Sequence, residues 1–134
     1  MNPVLLDTNA YSAFKRGHAE ALLIVQRAPW IAISTTILGE LLGGFAVGTR
    51  QAQNCQELDA FLASPRVRFL LVDRNTAEHY GALFASIRMA GTPIPTNDLW
   101  IAASALEHSL SLFTFDAHFN HVPGLRFGAS LATL

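Results

Sequence analysis

The sequence predicts an α/β domain with a mostly parallel central sheet of four to five strands, covered by helices on both faces. Short apolar runs alternate along the chain with stretches of helical spacing, the pattern of repeated strand–helix units. The first of those runs reads as a buried strand, and parallel sheets bury both faces. No internal repeat, linker or low-complexity segment interrupts the alternation. At 134 residues the chain is expected to form one domain spanning 1–134, large enough to bury most of what an unfolded chain exposes.

The elements follow in order. Pro3 to Asp7 reads as a short strand ending on an acid. Thr8-Asn9 then open a helix carrying Tyr11 and Phe14, which Lys15-Arg16-Gly17 stops. Ala19 to Arg27 resumes helical spacing until Ala28-Pro29, and Trp30 to Ser34 is a second strand. Thr35 to Val47 is an amphipathic helix with a broad apolar stripe of Ile37, Leu38, Leu41, Leu42 and Phe45. Gly43-Gly44 weakens its end, and Gly48-Thr49 closes it and can cap the next helix, Gln51 to Ala63. Ser64-Pro65 ends that one. Arg68 to Val72 is a third strand, followed by a helix from Asn75 to Ala90 with Ala77, Tyr80, Phe84 and Ile87 on one side, stopped by Gly91. A helix from about Asn97 to His108, a strand from Ser111 to Thr114, a turn through His118 and a last strand from Leu125 to Phe127 complete the chain.

Composition narrows the function classes. Just over half the residues are hydrophobic and 14% are charged, which leaves room for a buried partner surface as well as a large core. No run approaches the roughly 18 apolar residues of a membrane span. Asp7 interrupts the only early apolar run, unlike a signal peptide. Cys55 stands alone, so neither a disulfide nor a cysteine zinc cluster is expected. Together these features point to the cytoplasm and away from a membrane. The net charge of −1 does not advertise a nucleic-acid binder. Setting aside Asp7, Glu40, Asp98 and Asp116 leaves six acids against nine bases, a balance of +3 that tolerates phosphate.

Those four acids are the candidate site. Open α/β sheets carry their functional crevice at the carboxyl ends of the strands. Asp7 ends the first strand, and Glu40 lies within two turns of the second strand's end. Asp98 begins the helix before the fourth strand, and Asp116 follows that strand. If the first and fourth strands are neighbours, Asp7 and Asp116 can meet. Crowded carboxylates raise one another's pKa unless a cation compensates. Oxygen donors without a Cys or His pair favour Mg²⁺ or Mn²⁺ over zinc, which implies metal-assisted phosphodiester hydrolysis. Each acid also has a structural use: Asp7 as a helix N-cap, Glu40 as a solvated helix residue, Asp98 at a helix N-terminus capped by Thr96, Asp116 in an Asx-turn. The helix dipole is expected to lower the Asp98 pKa and hold it ionised before metal arrives.

Four segments carry a resemblance across essentially the whole chain. They are Leu5-Leu6-Asp7-Thr8-Asn9, Ser34 through Glu40 to Gly43, Asn97 through Asp98 to Ala103, and Thr114 to Phe119. In this order and spacing the chain resembles the PIN-domain ribonucleases, and within them the VapC toxins of toxin–antitoxin pairs. The resemblance implies a PIN-like three-layer α/β/α sandwich and a Mg²⁺- or Mn²⁺-dependent endoribonuclease acting on structured RNA, often transfer RNA. It also implies a homodimer neutralised by a cognate VapB-type antitoxin. Carried over by position, Asp7, Glu40, Asp98 and Asp116 would be catalytic and metal-binding. Asn9 would orient Asp7 or the metal's waters, and Thr114 would support the site by its hydroxyl. Some relatives carry a further acid where this chain has His118. A phosphate contact or proton relay is open to it, but a turn-capping role is the favoured expectation.

Other residues are given ordinary roles. Asp73 is expected to be a cap or ion-pair partner, Trp100 to pack in the core rather than stack on a base, and His108 and His121 to be structural or solvated. Arg16, Arg50, Arg66, Arg68 and Arg74 are candidate phosphate contacts. The stripe Leu38, Leu41, Leu42 and Phe45, with the following helix, is a candidate docking surface for an antitoxin helix or simply core. Two other function classes compete. A catalytically silent PIN module that only binds RNA or protein would not need all four acids. A Mg²⁺-dependent phosphoacceptor domain would want paired acids after the first strand and a lysine after the last, whereas Asp7 is followed by Thr8-Asn9 and the one lysine is Lys15; a phosphatase would want D-x-D, where Asn9 stands at the second position.

Overall fold

The computed structural model describes residues 1–134. Five parallel strands form one sheet: β1 (Val4–Leu6), β2 (Ile31–Ser34), β3 (Val67–Leu70), β4 (Ser111–Phe113) and β5 (Phe127–Gly128), in the order β3-β2-β1-β4-β5. Six helices connect them: α1 (Thr8–Lys15), α2 (Ala19–Arg27), α3 (Thr35–Val47), α4 (Gln51–Leu62), α5 (Arg74–Ala90) and α6 (Thr96–Glu107). A 3-10 turn spans Ala117–His121. The expected elements are all present and the sheet is parallel throughout. The last strand begins two residues later than the Leu125 expected, because β4 takes its neighbours Leu112 and Phe113 to Phe127 and Gly128.

β1 is the centre of the sheet and is buried on both faces, with every residue of Val4–Leu6 fully enclosed. That is why its sequence is continuously apolar rather than alternating. Ile31, Ile33, Leu112 and Phe113 on its two neighbours extend the same core. β3 lies at one edge, and its Phe69 remains substantially exposed. Among the helices, α5 packs along α6, α3 against both α4 and α6, and α1 against α2. Arg66 donates to the backbone carbonyls of Val25, Gln26 and Ala28, tying the end of α2 to the entry of β3.

Local chemistry sets the helix boundaries. Ser34, the last residue of β2, caps α3 by accepting from Ile37 N, so the strand passes into the helix without a loop. Asp73 and Thr76 form a reciprocal capping box at the start of α5, the cap role expected of Asp73. α5 ends at Gly91 in the left-handed conformation, φ 70°, which glycine adopts without a Cβ clash. Two expected caps are absent. Thr96 is the first residue of α6 after Pro95, and α4 follows Arg50 at its N-cap with no side-chain cap. Proline's fixed φ sets the entry to α6 in place of a hydroxyl. No helix is long and apolar enough to cross a membrane.

The central strand should dominate stability. Leu5→Ala is expected to cost about 2–5 kcal/mol, the usual price of truncating a fully buried leucine. The urea midpoint should fall accordingly, with the slope of the transition unchanged.

Candidate metal centre

The register of the sheet builds the first half of the site. Leu6 pairs with Phe113, so the next residues, Asp7 and Thr114, emerge side by side at the carboxyl edge. Asp7 N donates to Phe113 O at 2.9 Å. The Thr114 hydroxyl donates to Asp7 Oδ2 at 2.7 Å and accepts from Asp116 N at 3.0 Å. Asp7 Oδ1 accepts from Thr8 N at 2.8 Å, which also caps α1. Asp7 thus performs the cap role the sequence allowed. Asp7 and Asp116 are linked through Thr114 rather than by direct contact.

Helices deliver the other two acids. Glu40 lies in the second turn of α3, and its two oxygens are engaged separately: Thr8 Oγ1 donates to Oε1, and Asn97 Nδ2 donates to Oε2 at 2.5 Å. Asp98, in the first turn of α6, is buried. Neither Thr8 nor Asn97 was assigned a role from sequence. Their signal was position alone, since each sits immediately beside an expected acid.

His118 departs from expectation. The turn is capped by Asp116, whose Oδ1 accepts from His118 N at 2.9 Å. That frees the imidazole for the acids, and His118 Nδ1 lies 3.3 Å from Asp98 Oδ2 and 3.2 Å from Asp116 Oδ1. Donor atoms of Asp98, Asp116 and His118 all fall within 4.8 Å of one another. Glu40 is close enough for its charge to act on Asp98, and Asp98 in turn acts on Asp7.

Asn9 Oδ1 accepts from Phe115 N at 3.2 Å, so it anchors the loop after β4. Trp100 stacks on Tyr80 with ring centroids 4.0 Å apart, in keeping with packing rather than base stacking. His108 pairs with Glu107. Several candidate phosphate arginines are committed elsewhere: Arg66 to the α2 carbonyls, Arg68 over the Trp30 ring, Arg50 to Gln53 and Arg74 to Glu78. In the α3 stripe, Leu41 is buried and Leu38 and Phe45 pack on the core, while Leu42 stays exposed.

Electrostatics at the site run against ionisation. Burial raises the pKa of Asp7 and outweighs its hydrogen bonds from Thr114 and Thr8, and Glu40 and Asp98 push the same way. Burial likewise raises Asp98, with Asp116 and Glu40 adding to it and His118 pulling partly back. The expected lowering of Asp98 by the α6 dipole is therefore overturned. The helix terminus offers about half a unit charge, and desolvation in a crowded acidic pocket exceeds it. Carboxylates held against their own charge suit a cation, and the donor set of carboxylate oxygens with one imidazole fits a divalent ion.

The PIN domain family pattern matches residues 4–125. Ribonuclease VapC2 of Rickettsia felis is 29% identical over 126 residues, 90% of this chain and 92% of that protein. Among solved structures, VapBC2 from Rickettsia felis bound to a promoter DNA fragment superposes with a TM-score of 0.81 at 27% identity, covering 94% of this chain and 97% of that one. VapBC-5 from Mycobacterium tuberculosis, a member of the VapBC family of toxin–antitoxin systems, gives a TM-score of 0.71 at 28% identity, covering 94% and 95%.

A pH dependence follows from the Asp7 shift. Because its folded pKa is raised, the folded state holds a proton that the unfolded chain has released. Stability is therefore lost as pH rises from the ordinary carboxylate value through the raised one. Asp7→Asn keeps the cap and removes the charge. Without metal it should melt roughly 2–6 °C above the parent at pH 7, the equivalent of about 1 kcal/mol. Thermal melts in EDTA should show that gap closing as pH falls toward 4.

Proposed function

The chain belongs to the PIN-domain family, and from that premise we propose that it is a metal-dependent endoribonuclease, the toxin of a toxin–antitoxin pair. The observation that carries the reading is the convergence of Asp7, Glu40, Asp98 and Asp116 at one sheet edge, knitted by Thr8, Asn97 and Thr114. We assign those four acids as the catalytic and metal-binding set, with Thr114 and Asn9 supporting it. Residues 1–134 act as a single domain in this reading.

Mg²⁺, or Mn²⁺ in its place, would supply charge stabilisation at the phosphate and a nucleophilic water at neutral pH. The chain's own residues divide the remaining work. Asp98 and Asp116 would offer carboxylate oxygens to the ion, their donor atoms lying within 4.8 Å of one another. Asp7, oriented by Thr114 and Thr8 N, would add negative charge to hold it. Glu40 is held between α1 and α6 by Thr8 and Asn97. A phosphodiester drawn to this edge would lose its P–O bond to the leaving ribose oxygen as water oxygen bonds to phosphorus, the attacking water giving up a proton and the leaving oxygen taking one from solvent to become a hydroxyl.

RNA, transfer RNA among the candidates, is the proposed substrate. A VapB-type antitoxin is the proposed protein partner, in keeping with the toxin–antitoxin assemblies of the structural relatives. A cleft between α1, α3 and α4, lined by Tyr11, Lys15, Arg16, Phe45, Asn54 and Glu57, lies beside the α3 stripe and suits part of that partner. A homodimer working in the cytoplasm completes the reading.

Purified protein incubated with total cellular RNA should cleave it with Mn²⁺ and not with EDTA. Asp98→Ala should lower the rate at least about 100-fold, since even outer-shell changes at metal sites cost 10–100-fold. Cleavage persisting in Asp98→Ala would reject the site. Phosphate release from small esters without RNA cutting would favour a phosphatase.

A further inference from the structure

The position of His118 carries an inference that rests on the metal-centre reading and deepens it. Its Nδ1 is 3.3 Å from Asp98 Oδ2 and 3.2 Å from Asp116 Oδ1. Adjacent donors on one first-row ion, with bonds of about 2.1 Å, stand about 3.0–3.4 Å apart. A hydrogen bond to a carboxylate has a similar length, so distance alone does not separate the two. What separates them is the use of the remaining lone pairs. Both Asp7 oxygens and both Glu40 oxygens accept hydrogen bonds from Thr8, Thr114 and Asn97. The donor atoms that gather within 4.8 Å of one another are those of Asp98, Asp116 and His118, and the two carboxylates accept from no residue but His118.

The ring is also placed rather than wandering. Asp116 Oδ1 fixes the His118 backbone at 2.9 Å, and Phe119, the next residue, is fully buried in the core. The imidazole is thus tethered on both sides, while about half of the side chain remains open to solvent and to an arriving ion.

We propose that His118 is a nitrogen ligand of the ion held by Asp98 and Asp116, and that it biases the site toward transition metals over Mg²⁺. Magnesium demands oxygen donors and keeps its waters, whereas imidazole suits first-row transition ions with affinity rising from Mn²⁺ to Co²⁺.

The test uses tag-free full-length protein and three metals, Mg²⁺, Mn²⁺ and Co²⁺, titrated calorimetrically into wild type, His118→Gln and His118→Asp. Circular dichroism melts confirm that each variant is folded. His118→Gln should weaken Co²⁺ and Mn²⁺ at least about tenfold and change Mg²⁺ by less than about threefold. His118→Asp should lower the Co²⁺-to-Mg²⁺ preference below that of wild type. Independently, the electron spin-echo modulation of bound Mn²⁺ should carry a directly coordinated ¹⁴N signal in wild type that vanishes in His118→Gln. Mn²⁺ bound without nitrogen modulation, with metal preference unchanged in His118→Gln, would overturn the ligand assignment and leave the ribonuclease reading standing. Failure of wild type to bind any of the three ions better than Asp98→Ala would overturn both.

Discussion

One buried hydroxyl joins the two strands on which the candidate site is built. Thr114 gives its proton to Asp7 and accepts the amide of Asp116, so the end of β1 and the loop after β4 share a single fixed point. Strand register alone would bring Asp7 beside Thr114. It would leave Asp116 free to swing with its loop. The hydroxyl converts a flexible exit into a defined carboxylate position, and Asn9 repeats the device one residue earlier by holding Phe115 N. Serine could supply the same hydrogen bonds. Valine could not, and would leave the Asp7 carboxylate buried without its donor.

The same geometry explains why the site opposes the fold's stability. Asp7 and Asp98 are buried acids with raised pKa values, and each feels the charge of its neighbours. A core needs no such arrangement. A cation site does, because the repulsion that destabilises the empty pocket becomes attraction once a divalent ion enters. The fold tolerates the strain because the acids lie at the edge of the sheet, while β1 beneath them is wholly apolar and enclosed.

Much of this was legible from sequence because parallel α/β architecture maps sequence position onto space. Strand ends and helix starts converge on one edge, so Asp7, Glu40, Asp98 and Asp116 could be picked out from ten acids. Side-chain allegiance was not legible. Asn9 follows an acid by two residues and looks like its partner, yet the α1 turn points it at the Phe115 amide. His118 resembles a turn cap until Asp116 is seen to cap the turn itself. The direction of the Asp98 shift depended on burial, and a residue in the first turn of a helix can be exposed or enclosed. Periodicity does not say which when Thr96, Asn97 and Asp98 are all polar.

The two pairs of acids are held by different physics. Asp7 is placed by the end of β1, and Asp116 by the Thr114 hydroxyl at the same sheet edge. Glu40 and Asp98 ride on α3 and α6, and their placement depends on how those helices pack against each other. Thr8 and Asn97 correct for that weakness, since each reaches Glu40 from a different element, α1 and α6. Glu40 therefore also acts as a clasp between three helices. Metal entry that drew it away from Thr8 or Asn97 would loosen the contact of α3 with α1 and α6. Asp98 and Asp116 accept from no residue but His118, so their other oxygens have the least to give up in binding an ion, and there the imidazole of His118 already stands.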